Sequence, residues 1–317
     1  MIMKFLLSTA LSASVFAAII TCAQSQTAPI PAPTPPPTTA PIATRTTTVT
    51  RAPSPSEELN TLLMHATFLI SGPGKNQGSL TFGTVFVMGI PYKNNPKIAH
   101  IVMVTAAHVL EEIAGDNASL LLRRKNDDGT YSAFLYPLRI RQNGQPLYVR
   151  HPTADVAAMY ADLPDEVPMT GLSLDALVTD KSLEDIEVHP GDDAFVLGFP
   201  LAASAPGGFP ILRVGHIASY PLTPMKVVKQ WEFDLKIFGG NSGGPVYFSY
   251  VNRFFTKQMH FGVMQGILGL VIQEQHSIFP QFADKELGYG VVVPAQFIRE
   301  TIDTLPAPPD ESTGSIK

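Results

Sequence analysis

One cysteine, Cys22, occurs in 317 residues, and it lies in the N-terminal leader. The rest of the chain therefore forms no disulfide, offers no thiol nucleophile and builds no cysteine metal site. Charge is sparse as well: 15% of residues are Asp, Glu, Lys or Arg, and the formal net charge is −5. No long basic cluster breaks this mild acidity, so a nucleic-acid partner has no electrostatic footprint. There is no metal-binding motif, no internal repeat, no implied cofactor and, after the leader, no stable membrane span. Hydrophobic residues make up 45% of the chain. At this length that is enough for a sizeable core without disulfides.

The first 23 residues read as a signal peptide. Lys4 gives the positive start, Phe5 to Ile20 is apolar, and Thr21-Cys22-Ala23 offers small residues for cleavage before Gln24. The run is too short and wrongly flanked for a stable span. Ile19-Ile20-Thr21-Cys22 also loosely resembles a bacterial lipoprotein box, although Thr21 departs from the usual Gly, Ala or Ser. Two destinations follow: soluble export to the periplasm or beyond, which is the expectation, or a lipid anchor through Cys22. Residues 24–55 are rich in Pro, Thr and Ala and cannot bury enough surface to fold, so they form a linker. The tail, residues 306–317, is polar and proline-rich and is expected to be disordered.

Residues 56–305 carry the folded domain. Ser56 can cap a short helix with Leu59, Leu62 and Leu63 on one side. Many short apolar strands follow, separated by turn residues such as Asn126-Asp127-Asp128-Gly129 and Asn143-Gly144. Glu166 to Ile186 is a polar crossover that divides two halves, about 56–175 and 176–305. Phe261 to Ile272 is apolar and interrupted by glycines. Pro294 starts a last helix with Phe297, Ile298 and Ile302 at helical spacing. The fold class is all-β, a barrel or sandwich.

Three stretches carry chemistry. In Gly240-Asn241-Ser242-Gly243-Gly244-Pro245 a serine sits between glycines, which allow a tight turn and leave backbone N–H groups bare. Such groups can hold an oxyanion while the serine attacks. The bland alternative is a polar turn between strands. Thr105-Ala106-Ala107-His108 ends a buried strand, where a histidine is usually just packed. Ala154-Asp155-Val156-Ala157 opens an apolar strand, where an aspartate can simply cap a turn or can take a histidine N–H.

Taken in chain order, these stretches resemble the histidine, aspartate and serine motifs of the trypsin-like (chymotrypsin-fold) serine peptidases, over roughly Thr67 to Thr304. Phe82-Gly83-Thr84-Val85-Phe86, the segment from Gly191 to Pro200 and that from Gly288 to Pro294 are most similar to the bacterial high-temperature-requirement branch of envelope proteases. The chain ends soon after the last helix, so no following PDZ domain is expected. The resemblance implies two six-stranded antiparallel barrels with a C-terminal helix. It implies Ser242 as nucleophile, His108 as general base and acid, and Asp155 as the group orienting His108. The N–H groups of Gly240 and Ser242 would make the oxyanion hole, and the partner would be a protein or peptide substrate. Asn241 stands where many secreted members have an aspartate that pairs with a new N-terminus, so activity is not expected to need that ion pair. Lys236, Met264 and Gly266 are candidates for the walls of the specificity pocket.

Two other readings compete. The serine stretch also satisfies G-x-S-x-G, the nucleophile elbow of α/β-hydrolases, a serine esterase reading. That elbow leads into a helix, whereas Pro245-Val246-Tyr247 suits a strand, and no recognisable acid and histidine motifs follow. The non-enzyme reading is an inactive protease fold kept as a binding module in the cell envelope.

Overall fold

The computed structural model describes residues 58–92, 95–168, 172–276 and 286–308. The leader with Cys22, the linker, Ser56 and the end of the tail lie outside the described residues. The protein is mostly β-sheet with few helices, and among the described residues no helix is long and apolar enough to cross a membrane.

The helix α1 (Leu59–Ala66) buries Leu59 and Leu63. Its first N–H is taken by the side-chain oxygen of Gln265 at 2.8 Å, one of the four donors a helix start leaves open. The N-terminal half then runs through β1 (Thr67–Pro73), β2 (Leu80–Tyr92), β3 (Asn95–Thr105), α2 (Ala107–Glu112), β4 (Asn117–Lys125) and β5 (Tyr131–Arg139). Short strands follow: β6 (Arg141–Gln142), β7 (Gln145–Pro146), β8 (Val149–Arg150), β9 (Ala157–Tyr160) and β10 (Leu172–Ser173). Their order in one sheet is β5-β4-β1-β2-β3-β9-β8, with β10 added parallel to β2.

This half departs from the expected six-stranded barrel. Among the described residues it is an eight-stranded sheet whose path is not closed. One difference lies between β5 and β9. There the chain turns back about Asn143-Gly144, and β6 pairs with β7 as a separate two-stranded ribbon instead of joining the sheet. The outer strands β4 and β5 are met by a loop of the other half. Arg123 of β4, fully buried, donates to the carbonyls of Gly208 at 3.0 Å and Thr67 at 2.9 Å, and its guanidinium lies over the rings of Phe68 and Phe209. A buried cation needs such partners.

The helix α3 (Asp180–Asp185) follows, with a capping box between Thr179 and Ser182. The C-terminal half comprises β11 (Asp193–Gly198), β12 (Ile211–Ile217), β13 (Trp231–Asp234), β14 (Pro245–Phe255), β15 (Gln258–His276), β16 (Glu286–Pro294) and α4 (Ala295–Asp303). Its six strands close into a barrel in the order β11-β12-β13-β16-β15-β14. Val196, Trp231, Phe233, Tyr247, Leu268, Val271 and Val292 are buried there. The indole N–H of Trp231 donates to the Leu222 carbonyl at 3.1 Å, as a buried indole should. The helix α4 buries Phe297, Ile298 and Ile302 and packs on both β15 and β9, spanning the two halves.

Candidate active site

His108 is the second residue of α2, directly after β3. Thr105, Ala106 and Ala107 are fully buried, so small side chains hold the helix start tightly against the sheet. Asp155 sits at the entry to β9, which pairs with β3 through Thr105↔Ala157. That pairing brings residues 47 positions apart into contact. Asp155 Oδ1 accepts the backbone N–H of His108 at 2.9 Å, and Oδ2 lies 2.6 Å from Nδ1 of the same histidine. With Nδ1 as the donor, the other ring nitrogen, Nε2, carries the free lone pair.

Electrostatics follow this geometry. Burial alone would lower the His108 pKa, but the Asp155 hydrogen bond and charge, with Glu112 and Glu111 behind them, raise it above its ordinary value. For Asp155 burial pushes upward, and the hydrogen bonds and charge of His108 outweigh it, holding the carboxyl below the usual range. The two partners agree: each stabilises the charged form of the other.

The serine loop comes from the C-terminal half and is held to the N-terminal half by Thr84, fully buried on β2. The Thr84 N–H donates to the Ser242 carbonyl at 2.8 Å. Its hydroxyl donates to the Gly240 carbonyl at 2.6 Å and accepts the Phe199 N–H at 3.2 Å. Its own carbonyl takes the Thr105 hydroxyl at 2.7 Å, which links the loop to the end of the strand preceding His108. Gly243, with φ +86°, closes the contact. A Cβ there would lie 2.1 Å from the Thr84 carbonyl and 3.0 Å from the Ala106 nitrogen. Thr84 had no role in the sequence reading. Its one signal was a hydroxyl inside the apolar run from Phe82 to Ile90.

Among the described residues, the backbone N–H groups of Gly240 and Ser242 donate to no protein acceptor, whereas those of Asn241, Gly243 and Gly244 are bonded to the carbonyls of Phe238, Val271 and Asn241. Gly240 has φ +95°, and a Cβ on it would lie 2.2 Å from the Phe199 carbonyl. The Ser242 hydroxyl donates to the Ile272 carbonyl at 3.1 Å and not to His108.

The remaining sequence candidates fare differently. Lys236 is exposed in the segment entering the glycine loop, its ammonium 5.2 Å from the centre of the Phe238 ring. Met264 and Gly266 lie in the middle of β15, away from the end that meets Ser242. They stand on β15 opposite Tyr250 and Phe248, and a Cβ on Gly266 would press on Val178 and Phe248. Ile272, whose carbonyl meets Ser242, is six residues beyond Gly266 and eight beyond Met264 on the same strand, about 20 Å from Gly266 at strand rise. The strand runs from Gln258 to His276, longer than its glycines suggested, so its C-terminal end faces the serine. Asn241 is buried, and neither atom of its amide has a partner. Among the described residues no group of three metal-ligating side chains converges.

No protein-family model matches the chain, and no curated protein matches it. Among solved structures it is similar to the serine endoprotease from Yersinia pestis at 16% identity and a TM-score of 0.42, over 77% of this chain and 63% of that one. The chain thus spans less than two thirds of the Yersinia protein. It is also similar to the active form of the Rv3671c protease from M. tuberculosis at 16% identity and a TM-score of 0.46, over 86% of this chain and 96% of that one. Likenesses at these values decide nothing about chemistry; the side chains of the site must.

Proposed function

We propose that this protein is an exported serine endopeptidase of the trypsin-like kind, nearest the high-temperature-requirement branch, acting on protein or peptide substrates without a cofactor. The observation that carries the reading is the two-point grip of Asp155 on His108, beside a glycine loop with two bare N–H groups. Ser242 attacks the scissile carbonyl, and His108 Nε2 takes its proton. Asp155 keeps the other ring nitrogen protonated and stabilises the imidazolium. The N–H groups of Gly240 and Ser242 receive the oxyanion, each such donor contributing about 3 kcal/mol to the transition state. His108 then protonates the leaving amine, and water hydrolyses the acyl-enzyme by the same route in reverse. The attack requires the Ser242 hydroxyl to turn from the Ile272 carbonyl toward His108 Nε2; such bonds often form only with substrate bound. Lys236, Met264 and Gly266 remain the proposed specificity residues, the lysine being the one that would suit acidic side chains.

One observation favours a second reading, an inactive binding module: the Ser242 hydroxyl is engaged by the Ile272 carbonyl. Incubation with an unfolded protein separates the two. The peptidase reading expects new N-termini, found by mass spectrometry, that vanish with Ser242→Ala. Cleavage absent from wild type, or equal in both proteins, would leave only the binding module.

A further inference from the structure

A second histidine–carboxylate pair lies behind the first. His151 is buried at 6% exposure. Its Nδ1 accepts two backbone N–H groups, from Thr153 at 3.2 Å and from Ala154 at 2.9 Å. Its Nε2 lies 3.1 Å from Oε2 of Glu300 on α4. A nitrogen that accepts from two N–H groups carries no proton, so the ring is in the tautomer protonated at Nε2, with Glu300 as acceptor. This is the reverse of His108, whose Nδ1–H donates a hydrogen bond to Asp155.

The ring is also fixed from outside. Phe297 meets it edge-on at 5.2 Å, and Gln296 donates to the other oxygen of Glu300 at 2.8 Å. The backbone closes the turn, with the His151 N–H on the Val156 carbonyl at 2.9 Å and the Val156 N–H on the Ala154 carbonyl at 3.0 Å. The residue held at the rim of this turn is Asp155. The peptide units whose N–H groups His151 Nδ1 accepts, those of Thr153 and Ala154, lead directly into Asp155, whose two oxygens meet His108.

We infer that His151, held by Glu300, is a positioning residue for the Asp155–His108 pair, so that the C-terminal helix sets the geometry of the general base. The inference rests on the peptidase reading for its kinetic consequence but not for its structural one. A side chain that accepts two N–H groups two and three residues ahead is also what an asparagine does in a turn. His151→Asn therefore keeps the function, and His151→Phe, of similar bulk but with no acceptor, loses it. Misplacing a catalytic group by about 1 Å costs up to about 100-fold in rate.

The test uses the full chain with His151→Phe, His151→Asn and Glu300→Ala, checked by thermal melting. Two quantities are read: kcat and KM on a peptide substrate, and the low-field proton resonance of the short His108 Nδ1–H···Asp155 bond. Expected are a fall in kcat of about 10- to 100-fold for His151→Phe with KM within about twofold, and a shifted or lost resonance. Glu300→Ala moves both in the same direction by less, and His151→Asn stays near wild type. A folded His151→Phe with unchanged kcat and an unmoved resonance overturns the inference while leaving the peptidase reading intact. So does a His151→Asn variant as impaired as His151→Phe. Should the wild type lack peptidase activity, the resonance alone decides the positioning role. If His151→Phe does not fold, Glu300→Ala decides: a resonance identical to wild type overturns the inference.

Discussion

Asp155 holds His108 at two points, the backbone N–H at 2.9 Å and the ring Nδ1 at 2.6 Å. The backbone bond fixes where the histidine stands, and the ring bond fixes which way its imidazole faces. A carboxylate that does both cannot be exchanged for its amide without loss. In Asp155→Asn the ring nitrogen would face either an amide N–H or the wrong tautomer, and kcat should fall by about 10⁴-fold with the fold intact. Steady-state kinetics with a circular dichroism control checks this; a fall below about tenfold contradicts the orienting role.

The same contact sets a pH dependence. Asp155, Glu112 and Glu111 raise the His108 pKa against the opposing effect of burial. A histidine acting as general base works when neutral, so the proposed function requires activity to fall as pH drops through that raised pKa. The acid limb of kcat/KM should have its midpoint above the ordinary histidine value of about 6.5. Replacing Glu111 and Glu112 together by Gln should move the midpoint down. A profile flat from pH 8 to about pH 4 would rule out His108 as the base.

Thr84 ties the glycine loop to the first sheet through two contacts, to the Ser242 and Gly240 carbonyls, and also holds the Phe199 N–H. Thr84→Val keeps the shape and the N–H but removes the hydroxyl, freeing the Gly240 carbonyl and the Phe199 N–H. Leaving buried groups unpaired costs about 1–3 kcal/mol, and the loop should lose order at Gly240. The expected outcome is a lower melting temperature together with a kcat loss greater than any change in KM. Thr84→Ser should restore both, and a Thr84→Val enzyme with wild-type kcat would remove the loop-holding role.

Asn241 is buried with its amide unpaired, in the place where an aspartate would need a cation. Asn241→Asp should destabilise the fold, because an unpaired buried carboxylate is costly. The measurement is the denaturation midpoint at pH 8 against pH 5. The aspartate is neutralised at the lower pH, so the variant's deficit relative to wild type should shrink there. An unchanged midpoint at pH 8 would mean that a cation reaches this side chain.

What could be read in advance depended on how local the signal was. The histidine, aspartate and serine stretches are short and self-contained, and the first two meet in space although 47 residues separate them. The last helix was legible because Phe297, Ile298 and Ile302 share one face, and all three are buried. Closure of the sheets was not legible. Strand periodicity says which face is buried but not whether the outer strands meet, and in the first half they do not. The length of β15 was not legible either: its glycines looked like interruptions, yet the strand runs from Gln258 to His276, past Met264 and Gly266 to the serine. Thr84 and His151 were missed for one reason. Each acts through backbone groups of distant or turned segments, and side-chain motifs carry no trace of that.

The central claim is tested most directly by exposing the full chain to a fluorophosphonate and mapping the adduct by mass spectrometry. The account expects one phosphonylated residue, Ser242, formed rapidly in wild type and at least about 100-fold more slowly in His108→Ala. Absence of any adduct on the folded wild type, or an adduct formed equally fast without His108, would contradict it.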